Sequence, residues 1–276
     1  MEKNNRIDLI RLIKDKAREF GADLAGIANV ADLKRSPSHT ISGSGKMPEF
    51  NGVGTLAVEN HRRGLVQWPA SARSAVVLGA AHPAAKPDLD WWITGRSGGN
   101  TAGNRLLMKT VSELETWLER EVGIQCFKLP YHVERGGVFL KDAAVLAGLG
   151  CIGKNNLLVT PQYGPRLRLR GMLTDSDLPS TGVIDFDPCK ACPMPCRTSC
   201  PQAAFARQLY TRAVYELEAL PARSGAYDRF RCNRQMERDE SNYEEVKPGN
   251  TKRVKYCREC ELSCPVQSAD WKDNNE

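Results

Sequence analysis

Eight of the ten cysteines lie in the last third of the chain, and no other feature limits the fold and the chemistry of this sequence as much. The first group reads Cys189-x2-Cys192-x3-Cys196-x3-Cys200-Pro201 and the second Cys257-x2-Cys260-x3-Cys264-Pro265, with Cys232 alone between them. Thiolates this closely spaced put several soft ligands on one short loop, which is what a metal centre needs. Both groups end in Cys-Pro. In two-cluster ferredoxins the cysteine before that proline reaches across to the other cluster, because a short loop wraps three corners of one cube and the next turn leads away. The same crossing assigns Cys189, Cys192, Cys196 and Cys264 to one [4Fe–4S] cluster, and Cys200, Cys232, Cys257 and Cys260 to the other. Pro193-Met194-Pro195 is one residue longer than the usual ferredoxin spacing, a change at one corner of the first cluster. Paired Cys-x2-Cys also suits tetrahedral zinc, which stays as the alternative centre. Cys126 and Cys151 lie outside the array and read as small buried apolar residues.

A disulfide framework would need an oxidising compartment. The N-terminus, Met1-Glu2-Lys3-Asn4-Asn5-Arg6, leads straight into a helical pattern without the apolar segment and cleavage site of a signal peptide. No apolar run approaches the roughly 18 residues that span a bilayer. The expected location is therefore the cytoplasm, with no membrane partner, where bunched thiols are metal ligands rather than bridges. The net charge of +6 is spread along the chain without a dense basic run, so it does not mark a nucleic-acid footprint.

Upstream of the cysteines the pattern is mixed. Ile7, Ile10, Ile13, Ala17 and Phe20 recur at helical spacing behind Asn4 or Asn5 as a cap, with Gly21 as the stop. Residues 22–30 and 74–81 are apolar runs of strand length, and 124–129, 156–160 and 166–173 are further strands. Helices are expected over 102–121, with Leu107, Val111, Leu114 and Leu118 on one face, over 139–147, and over 202–218. The turn-rich stretch 35–70 reads as a long loop; its Gly43-Ser44-Gly45-Lys46 is not a P-loop, because Met47 stands where a hydroxyl is required. This order predicts an α/β or α+β domain over residues 1–184, followed by a metal-organised module over 185–276.

A second informative stretch is Tyr131-His132-Val133-Glu134-Arg135-Gly136-Gly137, followed by Gly148-Leu149-Gly150-Cys151-Ile152-Gly153-Lys154-Asn155-Asn156. A glycine turn lets backbone approach a ligand, and Lys154 could neutralise a phosphate; a plain connecting turn has the same look. With Leu157-Leu158-Val159, Tyr163-Gly164, Leu173-Thr174-Asp175 and Arg231-Cys232, these residues resemble epoxyqueuosine reductase and, more distantly, the reductive dehalogenases. The resemblance implies a nitroreductase-like cobalamin-binding core followed by a ferredoxin-like double [4Fe–4S] module. It also implies that Gly150, Cys151, Ile152, Gly153, Lys154, Asn155 and Tyr163 meet the corrinoid, and it puts the family's acidic proton donor at Glu134, where the reductases usually have aspartate. His132, whose ordinary pKa lies near neutrality, is the second candidate for that role.

The expected function is thus a reductase in which two clusters pass electrons from a low-potential donor, such as ferredoxin or flavodoxin, to a corrinoid that reduces a substrate. The rival is a carrier that reduces a corrinoid or flavin on another protein. The sequence stops twelve residues after Cys264, where longer epoxyqueuosine reductases continue into a helical-repeat domain that helps hold tRNA, so tRNA is an open partner.

Overall fold

The computed structural model describes residues 3–47, 50, 52–53, 66–94, 101–247 and 251–267. Its centre is a four-stranded antiparallel sheet in the order β1 (Leu24–Asn29), β2 (Ser74–Ala81), β7 (Leu167–Thr174), β4 (Cys126–Lys128). α1 (Lys3–Glu19) precedes them in the chain, and between them come α2 (Val30–Lys34), α3 (Pro37–Gly43), β3 (Trp92–Ile93), α4 (Ala102–Trp117), α5 (Leu140–Leu146), β5 (Cys151–Ile152) and β6 (Leu158–Val159).

β2 shows why three layers form. Val76, Leu78 and Ala80 point to one core with Ile13 and Ala17 of α1 and Leu107, Val111 and Leu114 of α4. Ala75 and Val77 point the other way, to a core with Leu33 of α2 and Ala143 and Ala144 of α5. A strand whose successive residues are all apolar must be covered on both faces, since its side chains alternate. Each large aliphatic side chain so buried contributes about 2 kcal/mol. The antiparallel pairing makes the core α+β.

Local signals explain the helix ends. The Thr101 hydroxyl accepts a bond from the Asn104 N–H and caps α4. Gly123, in the left-handed region at φ 74°, ends the π-helical turn Leu118–Val122 that closes α4. Ile7, placed on the apolar stripe of α1 by its spacing, is exposed instead. The turn-rich stretch 35–70 is not all loop, because Pro37 starts α3; residues 48–49, 51 and 54–65 lie outside the described residues.

The cysteine-bearing segment adds α6 (Pro195–Thr198), α7 (Arg212–Tyr215), α8 (Arg229–Ser241), β8 (Glu244–Lys247), β9 (Thr251–Val254) and α9 (Glu259–Leu262). The helix expected over 202–218 is absent apart from α7. Ala203 and Glu216 take positive φ, and the Leu209 and Tyr210 N–H groups both donate to the Gly225 carbonyl rather than to helical partners. The long helix lies later, at α8, opened by the Asp228 carboxylate accepting from the Arg231 N–H. β9 pairs with β3, so a small β3-β9-β8 sheet ties the segment to the core. Among the described residues no helix is long and apolar enough to cross a membrane.

Candidate cluster ligands and the cavity beside them

The eight array cysteines fall into two sets. Burial pushes the Cys196 thiol up to about 11, and the neighbouring charges that add to this are Cys264, Cys192 and Cys189. The Cys260 thiol is likewise raised by burial and then by Cys232, Cys257 and Cys200. The charges nearest Cys196 and Cys260 are thus the partners that the crossed assignment gives them. α6 and α9 pack together, and the serines that precede the two Cys-Pro steps meet there, Ser199 Oγ to Ser263 Oγ at 2.7 Å. The long corner is accommodated by Met194 at φ 63°, and its N–H donates to Cys192 Sγ at 3.4 Å. The Ala204 N–H donates to Cys200 Sγ at 3.3 Å in the same way.

Spacing separates the candidate centres. Tetrahedral zinc with bonds of about 2.3 Å needs sulfurs about 3.8 Å apart. Among the described residues, three side chains of ligating type bring their ligand atoms within 4.8 Å of one another only at His82, Asp90 and Glu261. The cysteine sulfurs are therefore spread more widely than zinc requires, which fits a larger cluster.

The Gly150–Asn156 turn holds this module against the core. The Asn155 amide donates to the Cys260 carbonyl at 3.0 Å, and Asn156 Oδ1 accepts from the Ala222 N–H at 2.9 Å. Arg197 Nε donates to the Lys154 carbonyl at 2.9 Å. Arg223 donates to the Ile152 carbonyl and, at 3.1 Å, to Cys151 Sγ, so Cys151 has a charged partner and is no inert core residue. A Cβ on Gly150 would stand 2.1 Å from the Val159 carbonyl oxygen, which fixes glycine there by close approach of β6. From β7's start the buried Arg166 guanidinium donates to the carbonyls of Glu261 and Cys264, both at 3.3 Å, and to that of Val266 at 2.5 Å. Tyr163 sits near Asp23 and Arg18, with its hydroxyl pKa raised by burial.

A cavity of about 430 Å³ lies on the seam between core and module, walled by Tyr131, Lys141, Leu167, Arg168, Cys257 and Arg258 among others. That is the size range of a small-molecule site. None of Gly150, Cys151, Ile152, Gly153, Lys154, Asn155 or Tyr163 is in its wall; the structure uses the glycine turn as a dock for the module. Glu134 is buried in the single 3-10 turn Val133–Arg135, 4.0 Å from His132 Nδ1, and neither residue lines the cavity, although Tyr131 beside them does. Lys141 Nζ donates to the Asn156 carbonyl at 2.5 Å, and burial lowers its pKa to about 8.

The wall also contains a charged network that the sequence did not announce. His82 Nδ1 bonds Asp90, which also takes Arg168 Nε at 2.5 Å and Arg258 Nη1 at 3.0 Å. Arg258 Nε donates to Glu261 at 3.0 Å and its Nη2 to the His82 carbonyl at 2.7 Å. Burial works to raise the Asp90 carboxyl, but the His82 bond and the two guanidinium charges outweigh it and hold the pKa below the usual value. Residues 82, 90, 168, 258 and 261 are far apart in the chain and form no motif; only the antiparallel return of β7 beside β2 and the docking of α9 bring them together.

The chain is similar to epoxyqueuosine reductases. That of Pseudomonas aeruginosa is 27% identical over 93% of this chain and 68% of its own length. The Bacillus subtilis enzyme, in a structure with its catalytic aspartate's loop swung out of the active site, overlays with a TM-score of 0.58 at 18% identity. It covers 96% of this chain and 66% of that one. An epoxyqueuosine reductase bound to an epoxyqueuosine-modified tRNA stem loop gives the same TM-score, identity and coverage. The chain thus spans about two thirds of the relatives it matches. No protein-family model matches it.

Proposed function

We propose that this chain is an iron–sulfur, cobalamin-dependent reductase of the epoxyqueuosine reductase type. One observation carries the reading: Cys257 of the cysteine array stands in a cavity wall, and the charges nearest Cys196 and Cys260 are those that a crossed ligation would group with them. A relay of two [4Fe–4S] clusters, held by Cys189, Cys192, Cys196 and Cys264 and by Cys200, Cys232, Cys257 and Cys260, would then end beside a bound group. When bound, the clusters supply single electrons and the corrinoid a redox-active cobalt.

The chain's own residues have separate tasks. The cavity lies between the two segments, with Tyr131, Lys141 and Arg168 of residues 1–184 orienting the corrinoid, while 185–276 carry the thiols and add Cys257 and Arg258 to the wall. Arg166 and Asn155 fix the distance between the two by bonding the carbonyls around Cys260 and Cys264. Glu134 gives a proton after its turn moves toward the cavity, a motion like that described for the catalytic loop of the Bacillus subtilis relative. The electron donor is a low-potential carrier of the ferredoxin or flavodoxin kind. The substrate class is the tRNA-borne epoxide of the relatives' name.

Anaerobic reconstitution with iron, sulfide and cobalamin, followed by gel filtration and metal analysis, tests this. The expected protein fraction carries about eight irons and one cobalt per chain. About four irons would break the crossed assignment, and iron without cobalt would leave an electron carrier. Glu134→Gln is expected to abolish reduction of epoxyqueuosine in a tRNA stem loop at unchanged cobalamin affinity; undiminished turnover removes Glu134 as the donor.

A further inference from the structure

Arg223 stands on a turn that its residue type does not favour. Ala222 and Arg223 take φ 50° and 65°, two successive non-glycine residues in the left-handed region, where a Cβ is crowded by the backbone. The turn is held from both sides: Asn156 Oδ1 accepts from the Ala222 N–H at 2.9 Å, and Arg197 Nη2 donates to the Ala222 carbonyl at 2.8 Å. Strain of this kind persists only where the surroundings over-determine it, and it collects at functional sites. Here it aims one guanidinium.

That guanidinium divides its donors among three groups. Nε donates to the Ile152 carbonyl, Nη1 to Asp187 Oδ1 at 2.5 Å and Nη2 to Cys151 Sγ at 3.1 Å. Two of the three lead to the first cysteine set. Asp187 Oδ1 also accepts from the Cys189 N–H at 3.0 Å, so one carboxylate oxygen joins the guanidinium to the backbone of a proposed ligand. Cys151 packs against the small apolar group of Val159, Cys264 and Val266. Burial works against the Arg223 charge, but the Asp187 bond and the neighbouring Cys189 and Cys151 sulfurs outweigh it and hold the pKa above its usual value. A fastening role leaves the third bond unexplained, because a thiol sulfur is a weak acceptor and Arg223, 27% exposed, could have turned that donor to water. The arrangement places a positive charge beside two corners of one cysteine set, with a single carboxylate behind it.

We propose that Arg223 sets the reduction potential of the [4Fe–4S] cluster held by Cys189, Cys192, Cys196 and Cys264, with Asp187 opposing it. The proposal rests on the cluster reading above and adds to it the charge that tunes one of the two centres. Uptake of one electron from the low-potential carrier makes the cluster and its four thiolates one charge more negative, and a guanidinium nearby stabilises that added charge. The reduced form is favoured and the potential rises. The Asp187 carboxylate acts in the opposite sense. No cysteine of the first set lines the seam cavity, whereas Cys257 of the second does, so the pair acts on one end of the relay and leaves the end at the cavity alone.

The test is a titration of the reconstituted protein with dithionite, followed by electron paramagnetic resonance, on the unmutated chain and on variants that carry about eight irons. Arg223→Gln keeps an amide donor and removes the charge. It should lower one of the two reduction steps, so that the ratio of reduced to oxidised cluster at fixed potential falls about tenfold, which for one electron is about 59 mV. Asp187→Asn should raise the same step, Arg223→Lys should leave it close to its original place, and the other step should stay still in all three. Cys192→Ser, which alters a corner of the first set, identifies the step and should move the same one. Shifts of one sign in Arg223→Gln and Asp187→Asn, no shift in Arg223→Gln, or a shift of the step that Cys192→Ser leaves alone would overturn the proposal while the iron content keeps the cluster reading intact. About four irons per unmutated chain would overturn that reading and the proposal with it. A loosened fold moves both variants alike and cannot imitate opposite shifts; should Arg223→Gln fail to load, the rise in Asp187→Asn decides alone.

Discussion

Two buried histidines differ in one atom. His39, on α3, has both nitrogens occupied: the Phe139 N–H donates to its Nε2 at 3.3 Å, so Nδ1 carries the hydrogen and donates to Ser36 Oγ at 2.8 Å. Its ring also packs on Phe139 and Trp68, with centroids 4.9 and 5.4 Å away. His82, just past β2, sets its Nδ1 against the Asp90 carboxylate but has an Nε2 without partner among the described residues. Burial alone therefore says little about a histidine's use. The first closes a local helix–helix contact, and the second stands at a cavity wall in a charged network.

The largest effect that tests this contrast is expected at Asp90. Asp90→Ala leaves the Arg168 and Arg258 guanidiniums without their shared carboxylate and should cost about 4 kcal/mol in denaturant unfolding of the reconstituted protein. A loss under about 1 kcal/mol would mean the network does not hold the seam.

Next comes acid. Burial lowers the His39 pKa to about 4 from its ordinary 6.5, with Asp142 opposing weakly, so the unfolded chain binds the extra proton first as pH falls. Stability is then fully present above about 6.5 and is lost between there and about 4, by up to about 3 kcal/mol. His39→Gln should flatten that slope, and a slope that persists in the variant would place its origin elsewhere.

Truncation separates the pair further. His39→Ala removes two hydrogen bonds and a packed ring and should cost about 2 kcal/mol while cobalamin retention stays unchanged. His82→Ala loses the bond to Asp90 but also removes a buried nitrogen without a partner among the described residues, so its cost should be smaller, about 1 kcal/mol. The reverse order in unfolding experiments would make His82 the structural histidine.

Much of the chain was legible before any coordinates. β2 was bounded correctly because after Ser74 the central strand carries no polar side chain, and α4 because its buried leucines keep helical spacing up to Gly123. α8 escaped because its sequence, rich in arginine and glutamate, shows no apolar stripe; it is held through Cys232 and Asn233. The 202–218 stretch looked helical, yet the Ala204 N–H is drawn to Cys200 Sγ and neighbouring backbone follows the thiol loop. The glycine turn at 150–156 was recognisable as a place of close approach, and what approaches turned out to be the chain itself.

The sequence by itself set the expected thiol partition, because ligands a few residues apart on a loop have little freedom and the proline after each group leads the chain away. It also determined the layered core, through the two-sided apolar strand and the amphipathic helices against it. Only the tertiary structure decided where the cavity lies and which side chains face it. His82, Asp90, Arg168, Arg258 and Glu261 come from four separate stretches, and no local spacing records that a strand's return and a docked cysteine loop will bring two carboxylates against two guanidiniums and an imidazole.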